Sequence, residues 1–198
     1  LELKAYLYRA ITRRAYEREI RELRCFSTAK NACQKIESPS PPYKLRKLSE
    51  EDIPVLQTLF RETVLHVNAR DYTREEVEDW ASCGDSMEHM KDLLARNDYV
   101  AALNERDEII GFSSMNAEGY LHSLFVHKDY QRVGVGSLLL SAVEKRAREY
   151  GVSEITSEVS LTARPFFEKR GYEVVKVQKR RANRLELTNF VMRKRLKD

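Results

Sequence analysis

Leu121-His122-Ser123-Leu124-Phe125-Val126-His127-Lys128-Asp129-Tyr130-Gln131-Arg132-Val133-Gly134-Val135-Gly136-Ser137 is the stretch on which the fold turns. A largely apolar run of strand length enters a polar loop with two alternate glycines, and an apolar helical pattern begins at Ser137. Gly134 and Gly136 carry no Cβ, so the N–H groups around them can close on an anion. The helix start behind them adds unpaired donors and the positive end of its dipole. Such a loop suits a phosphate or pyrophosphate. A P-loop would need Gly-Lys-Ser/Thr, whereas Gly136 is followed by Ser137-Leu138. A dinucleotide fingerprint would need glycine at position 139, which is leucine. A glycine turn that only joins strand to helix fits the two glycines equally well.

Working outward, Lys44–Leu48 reads as a short strand, and Ser49 with Asp52 opens a helix with apolar residues at 53, 56, 59 and 60. Thr73 caps a second helix, 74–80, and a third runs over 87–96. Tyr99–Leu103 and Glu108–Met115 pair as a hairpin, and Tyr120–His127 follows as a strand. The long helix spans Ser137–Tyr150 and stops at Gly151. A strand at 155–159, a helix at 163–169 and strands at 172–179 and 185–193 complete the order. That order implies an α/β (α+β) arrangement: a mixed, mostly antiparallel twisted sheet flanked by helices.

The run Ser38-Pro39-Ser40-Pro41-Pro42 cannot continue a helix and divides the chain into 1–42 and 43–198. The net charge of +4 sits in the first part, with nine Lys/Arg against five Asp/Glu; the 26 basic and 26 acidic residues after it cancel. The main domain therefore exerts no general pull on nucleic acid. No apolar run reaches membrane-spanning length. Cys25, Cys33 and Cys83 are odd in number and form no Cys-x-x-Cys, which points to a reducing intracellular setting such as the cytoplasm, and no metal-ligand spacing occurs.

Leu3 through Leu23 reads as an Arg-rich helix that packs on the domain, on a second copy or on a partner protein. Arg24-Cys25-Phe26-Ser27 resembles a mitochondrial processing site, although Glu2, Glu17, Glu19 and Glu22 are unusual in such a leader. Leu7-Tyr8-Arg9 resembles the opening of small mitochondrial assembly factors named after that tripeptide.

Gln131-Arg132-Val133-Gly134-Val135-Gly136 resembles the Gln/Arg-x-x-Gly-x-Gly/Ala loop of the GNAT (Gcn5-related) N-acetyltransferases. Ala163-Arg164-Pro165-Phe166-Phe167-Glu168-Lys169-Arg170-Gly171-Tyr172 resembles that family's Ala-x-x-Phe-Tyr-x-x-x-Gly-Phe segment, at the usual separation. The likeness extends over about 44–193 and is nearest to small bacterial-type members with Pro-Phe-Phe-Glu. It implies an enzyme that moves an acetyl group from acetyl-CoA to an amine by direct attack in a ternary complex. The acceptor stays open between a small molecule, a peptide and a protein. Backbone amides of Arg132, Val133, Gly134, Val135, Gly136 and Ser137, with Gln131 at the head of the loop, would hold the pyrophosphate. Leu124, Phe125 and Val126 would splay from the 155–159 strand and let pantetheine pair as an added strand. The Leu124 N–H would face the thioester oxygen. Ser160 stands where the family often has asparagine, and Phe167 where it often has the tyrosine that protonates the leaving thiolate.

An acceptor amine attacks only when neutral, and about one part in 10³ of a lysine-like amine is neutral at pH 7. A base near that pH is therefore useful. Strict alternation puts Tyr120, His122, Leu124 and Val126 on one face, with His122 about 6–7 Å from Leu124 along the strand. Tyr120 and His122 are the candidate catalytic side chains, His122 as base or water relay; the alternative makes His122 only a wall of the acceptor pocket. His66, Tyr72 and Trp80 read as wall or core. With Phe167 in place of tyrosine, water or Ser160 would protonate the thiolate. The same substitution leaves room for a second reading, an acyl-CoA-binding module without turnover that serves as a sensor or complex subunit.

Overall fold

The structure, a computed structural model, describes residues 43–196. The basic segment 1–42, with its expected helix, linker and partner or targeting roles, lies outside the described residues.

Seven strands form one sheet in the order β1-β2-β3-β4-β5-β7-β6. They are β1 (Lys44–Lys47), β2 (Asp98–Leu103), β3 (Ile109–Met115), β4 (Tyr120–Val126), β5 (Glu154–Ser160), β6 (Glu173–Arg181) and β7 (Glu186–Arg195). Every neighbouring pair is antiparallel except β4 and β5, which run parallel. Helices α1 (Ile53–His66), α2 (Arg74–Ala81) and α3 (Met87–Arg96) cover one face; α4 (Val135–Glu149) and α5 (Arg164–Lys169) cover the other. The expected order of elements is the observed order.

Local chemistry sets the ends. The Ser49–Asp52 capping box holds a single 3₁₀ turn, Glu50–Asp52, from which α1 continues. At α2 the reciprocal bonds are present in full: Thr73 N–H donates to Glu76 Oε2 at 2.8 Å, and Glu76 N–H donates to Thr73 Oγ1 at 3.3 Å. An N-cap of this kind is worth about 1 kcal/mol. Gly151, at φ +73°, closes α4 by letting the Val152 N–H reach back to Ala147 O at 3.1 Å. The start of α4 departs from the expected Ser137. It begins at Val135, so Gly136 lies inside the first turn and Gly134, at φ +97°, is the N-cap. Glycine reads as a breaker in sequence, but an exposed first turn tolerates it.

Two cores clamp the sheet. Beneath α4, Leu140, Val143 and Ala147 meet Met115, Leu121, Ile155, Phe190 and Met192. Beneath α1 and α3, Ile53, Leu56, Leu59 and Met90 meet Tyr99, Ala101 and Phe112. Strand β4, between these cores, is irregular in both its pairings. Its parallel pairing with β5 consists of Tyr120↔Thr156 and Leu121↔Ser157 and goes no further. Its pairing with β3 slips between Ser114↔Ser123 and Met115↔Leu121, leaving His122 as the extra residue of a β-bulge.

Candidate active site

The loop between β4 and α4 presents backbone. Arg132 (φ +63°) and Gly134 (φ +97°) both adopt left-handed backbone. For arginine that conformation costs about 1–3 kcal/mol and clusters at working sites. No side chain caps α4, so the N–H groups of Val135, Gly136 and Ser137 are left for an outside acceptor at the positive end of a 15-residue helix. A Cβ on Gly136 would come no nearer than 3.6 Å to any protein atom, the closest being the Phe166 ring, so protein packing does not demand glycine there. An approaching ligand would hold the position to a small residue. Gln131, at the head of the loop, lines the cleft, and its Nε2 donates to Val126 O at 2.6 Å, bracing the loop against the strand. The Val135 side chain is in the core, Val133 is exposed, and Ser137 Oγ accepts from Arg170, so each would serve a ligand through main chain.

Beside this helix start the sheet is forked. His127 N–H donates to Ile110 O at 2.9 Å, toward β3. Alternation along β4 then turns the N–H groups of Leu124 and Val126 the other way, into the gap left by β5. The crotch is locked by Ser157 Oγ donating to Leu121 O at 2.8 Å. The expected splay of 124–126 from 155–159 is thus present. It leaves a row of backbone donors and acceptors, the arrangement that accepts an extended, amide-bearing chain as a surrogate strand.

The bulge corrects the expected faces of β4. Leu124 and Val126 pack toward α4, while Phe125 stacks among Phe60, Trp80 and Phe112 beneath α1. His122 does not share the Leu124 face: its Nδ1 lies 2.8 Å from the hydroxyl of adjacent Ser123, which strict alternation would place on the opposite side. Tyr120 and His122 keep each other's company, rings 6.1 Å apart, on the α1–α3 face. Burial lowers the His122 pKa, His89 adds to this and Glu158 opposes it, so the imidazole is neutral at pH 7. With Nδ1 engaged by Ser123, Nε2 is the nitrogen left for the cleft. The Tyr120 phenol is pushed up by burial and by Glu158.

Around these residues opens a cleft of about 880 Å³ running from the glycine loop to β6 and β7. Ser160 Oγ accepts from Ala163 N–H at 3.1 Å and Asn68 Nδ2 at 3.5 Å, which leaves its own hydrogen free. Phe167 is buried edge-on to Tyr172 at 5.0 Å, with only its margin at the cleft. His66 binds back to Glu62 O at 2.8 Å on its own helix and does not line the cleft. Tyr72 is more than wall: its hydroxyl donates to Thr188 O at 2.7 Å and accepts from Leu161 N–H at 3.0 Å, joining β7 to the end of β5.

Several lining residues carry no motif in the sequence. Glu158, Ser160 and Asn189 share the Tyr120–His122 face through the β5–β7 register, and Arg180 joins them across from Leu187. Asp79, its side chain wholly buried, accepts from the N–H of Asn183 (3.1 Å), Arg184 (2.8 Å) and Leu185 (2.9 Å), and from Arg184 Nε (3.1 Å). Leu185 N–H first, with those of Arg184 and Asn183, holds its pKa at about 2. It ties the β6–β7 loop to α2 at the far rim of the cleft. Alternating polar residues on an exposed-looking strand and a helical aspartate give no local signal of this convergence.

Comparison with known proteins agrees with this geometry. The acetyltransferase (GNAT) domain family model matches residues 68–195. An uncharacterised N-acetyltransferase of Escherichia coli, YafP, is 33% identical over 151 residues, which span 76% of this chain and 94% of its own. A solved GCN5-related N-acetyltransferase from Rhodopseudomonas palustris, described as a class-II aminotransferase, superposes with a TM-score of 0.76 at 32% identity, covering 79% of this chain and 97% of its own. The PaiA N-acetyltransferase of Thermoplasma acidophilum, solved with coenzyme A, shares the fold at 23% identity and a TM-score of 0.64, over 78% of this chain and 99% of its own. The family match covers most of the chain, so this protein belongs to the acetyltransferase (GNAT) family, an acyltransferase class of enzyme.

Proposed function

We propose that the domain binds acetyl-CoA between β4 and β5 and transfers its acetyl group directly to an amine held on the α1–α3 side of the sheet. One observation carries this reading: the fork in the sheet opens immediately beside the uncapped first turn of α4. Backbone that pairs with an amide chain and backbone that receives a pyrophosphate are therefore contiguous. A structural neighbour solved with coenzyme A supports the choice of ligand.

In this reading the N–H groups of Val135 to Ser137 hold the pyrophosphate. Leu124 and Val126 pair with the pantetheine amides, and the Leu124 N–H stabilises charge developing on the thioester oxygen. Bound acetyl-CoA supplies an acyl group already activated as a thioester. His122 Nε2, neutral at pH 7, takes a proton from the amine directly or through one water. Its position on the acceptor face, which the bulge creates, puts the base where the amine arrives rather than where the cofactor lies. The Ser160 hydroxyl or water returns a proton to the thiolate; a thiol pKa of about 8.5 makes that a modest demand. Tyr172 is no substitute for the family's tyrosine, because burial drives its phenol far above the working range.

Isothermal titration with acetyl-CoA tests the site, followed by an amine screen for released CoA. The intact chain should bind one equivalent with micromolar affinity, and Gly134→Asp/Gly136→Asp should not bind. Binding without turnover across the screen would select the second reading, an acyl-CoA-binding module, which the burial of Phe167 favours. No binding by the intact chain would remove both readings.

A further inference from the structure

The charges along the cleft are unevenly shared. Arg132 and Lys169 stand at the end where the cofactor phosphates would lie. At the opposite end, among the described residues, Arg70, Arg180 and Arg181 line the cleft; Glu158 is the one lining carboxylate, and Asp71 pairs with Arg70 at 3.2 Å from outside the lining. Guanidiniums do not lose their charge at any working pH, so this end is a standing cationic field. A polyamine or a basic peptide would be repelled from it.

The arrangement is polarised as well as cationic. Arg180 Nε sits 3.3 Å from Glu158 Oε2. Glu158 and Arg180 share the face of Tyr120 and His122, Glu158 one pleat from Ser160, whereas Arg181, next along the edge strand β6, turns to the opposite face and donates from Nε to Asn183 O at 3.4 Å. Asn189, the register partner of Ser160, also lines the cleft, and its amide oxygen is buried without a donor. A buried acceptor lacking a donor costs about 1–3 kcal/mol, and a ligand N–H would relieve it. The wall thus offers two acceptors, Glu158 and Asn189, near the base, and guanidinium donors farther out. A zwitterion fits that order.

We propose that the acceptor is an amine that also carries a carboxylate, its nitrogen beside Glu158, Asn189 and His122 and its carboxylate on Arg180. The geometry rests on the acetyl-transfer reading for the position of the amine, but the charge selection can be measured without turnover. Guanidinium forks bind carboxylates in paired, charge-assisted bonds. The Glu158–Arg180 contact opens to admit the zwitterion, each partner exchanging the other for the opposite end of the ligand.

The test is calorimetric titration of common amino acids, their carboxamides, putrescine and spermidine into the full chain, with and without saturating CoA. At least one amino acid should bind about tenfold to a hundredfold more tightly than its own carboxamide, and the diamine and triamine should bind worst. Arg180→Gln should erase the gap between acid and amide, and Arg180→Glu should invert it. Unchanged thermal midpoints will separate these effects from misfolding. Equal or tighter binding of carboxamides or polyamines overturns the proposal, as does failure of every amino acid to bind in either condition. Selective binding of an amino acid without acetyl release leaves this inference standing and removes the enzymatic one.

Discussion

The two ends of the cleft are built from different material. The glycine-loop end, where we propose the cofactor binds, is main chain: unpaired N–H groups of α4, a strand edge exposed by the fork, and a loop set by positive φ at Arg132 and Gly134. The end we propose for the acceptor is side chain, drawn from β4, β5, β6 and β7 and from the 3₁₀ turn Asn68–Arg70 after α1. A main-chain site tolerates almost any residue identity except bulk at its glycines, whereas a side-chain site is defined by identity. The first can be shared by a whole family, and the second can differ from member to member.

The sharpest way to break this contrast is to add bulk without adding strain. Gly136→Leu should fold, because its Cβ meets only ordinary contacts, and a thermal midpoint measured beside the wild type checks this. Acetyl-CoA affinity should nevertheless drop by about a hundredfold or more, since two charge-assisted bonds are worth about 1.5–3 kcal/mol each. If titration finds affinity unchanged, the main-chain account of the cofactor end fails.

His122→Gln tests the other end. We expect kcat to fall by about 10²-fold or more while acetyl-CoA affinity holds. Wild-type kcat/KM should fall as pH drops through a histidine pKa lying below its ordinary value, because the neutral ring is the active form. The variant should lack that limb. A preserved limb would reduce His122 to a wall of the pocket.

Asp79→Asn is expected to produce the smallest of these effects on chemistry, raising KM for the acceptor without altering acetyl-CoA affinity, and to lower the thermal midpoint by several degrees. Its folded pKa of about 2 is depressed, so its stabilisation is present above the ordinary carboxylate range and is lost as pH falls from there toward 2. Wild-type stability should slope downward across that window, and the variant should slope less. An equal slope in both would show that the β6–β7 loop is held by something else.

The same contrast between main chain and side chain separates what is legible in the sequence from what is not. Element order, the antiparallel bias and the glycine loop are legible because capping boxes, helical periodicity and Gly-x-Gly are local in the chain. The start of α4 lies two residues ahead of its expected place because Gly136 hides inside the first turn. His122 takes the other face because a bulge belongs to the pairing of two strands and leaves no mark on either. Glu158, Asn189 and Arg180 come together through register between β5, β7 and β6, across separations that no motif spans. Gln131 lies in the expected place at the head of the loop, and its bond to Val126 O shows a bracing part that the motif alone does not reveal.

The single parallel junction has a mechanical meaning. Strands β1 to β4 and strands β5, β7 and β6 are two antiparallel plates, riveted at Tyr120↔Thr156 and Leu121↔Ser157. Across the rest of their length they are fastened from outside the sheet, by the core beneath α4 that joins Met115 and Leu121 to Ile155, Phe190 and Met192, and by the Tyr72 hydroxyl and the Asp79 carboxylate. A chain of amides laid into the fork acts as a second row of rivets. Loading the site should therefore protect the backbone amides of β4 and β5 from hydrogen exchange far beyond the atoms touched, and the loaded molecule should unfold as one plate rather than two.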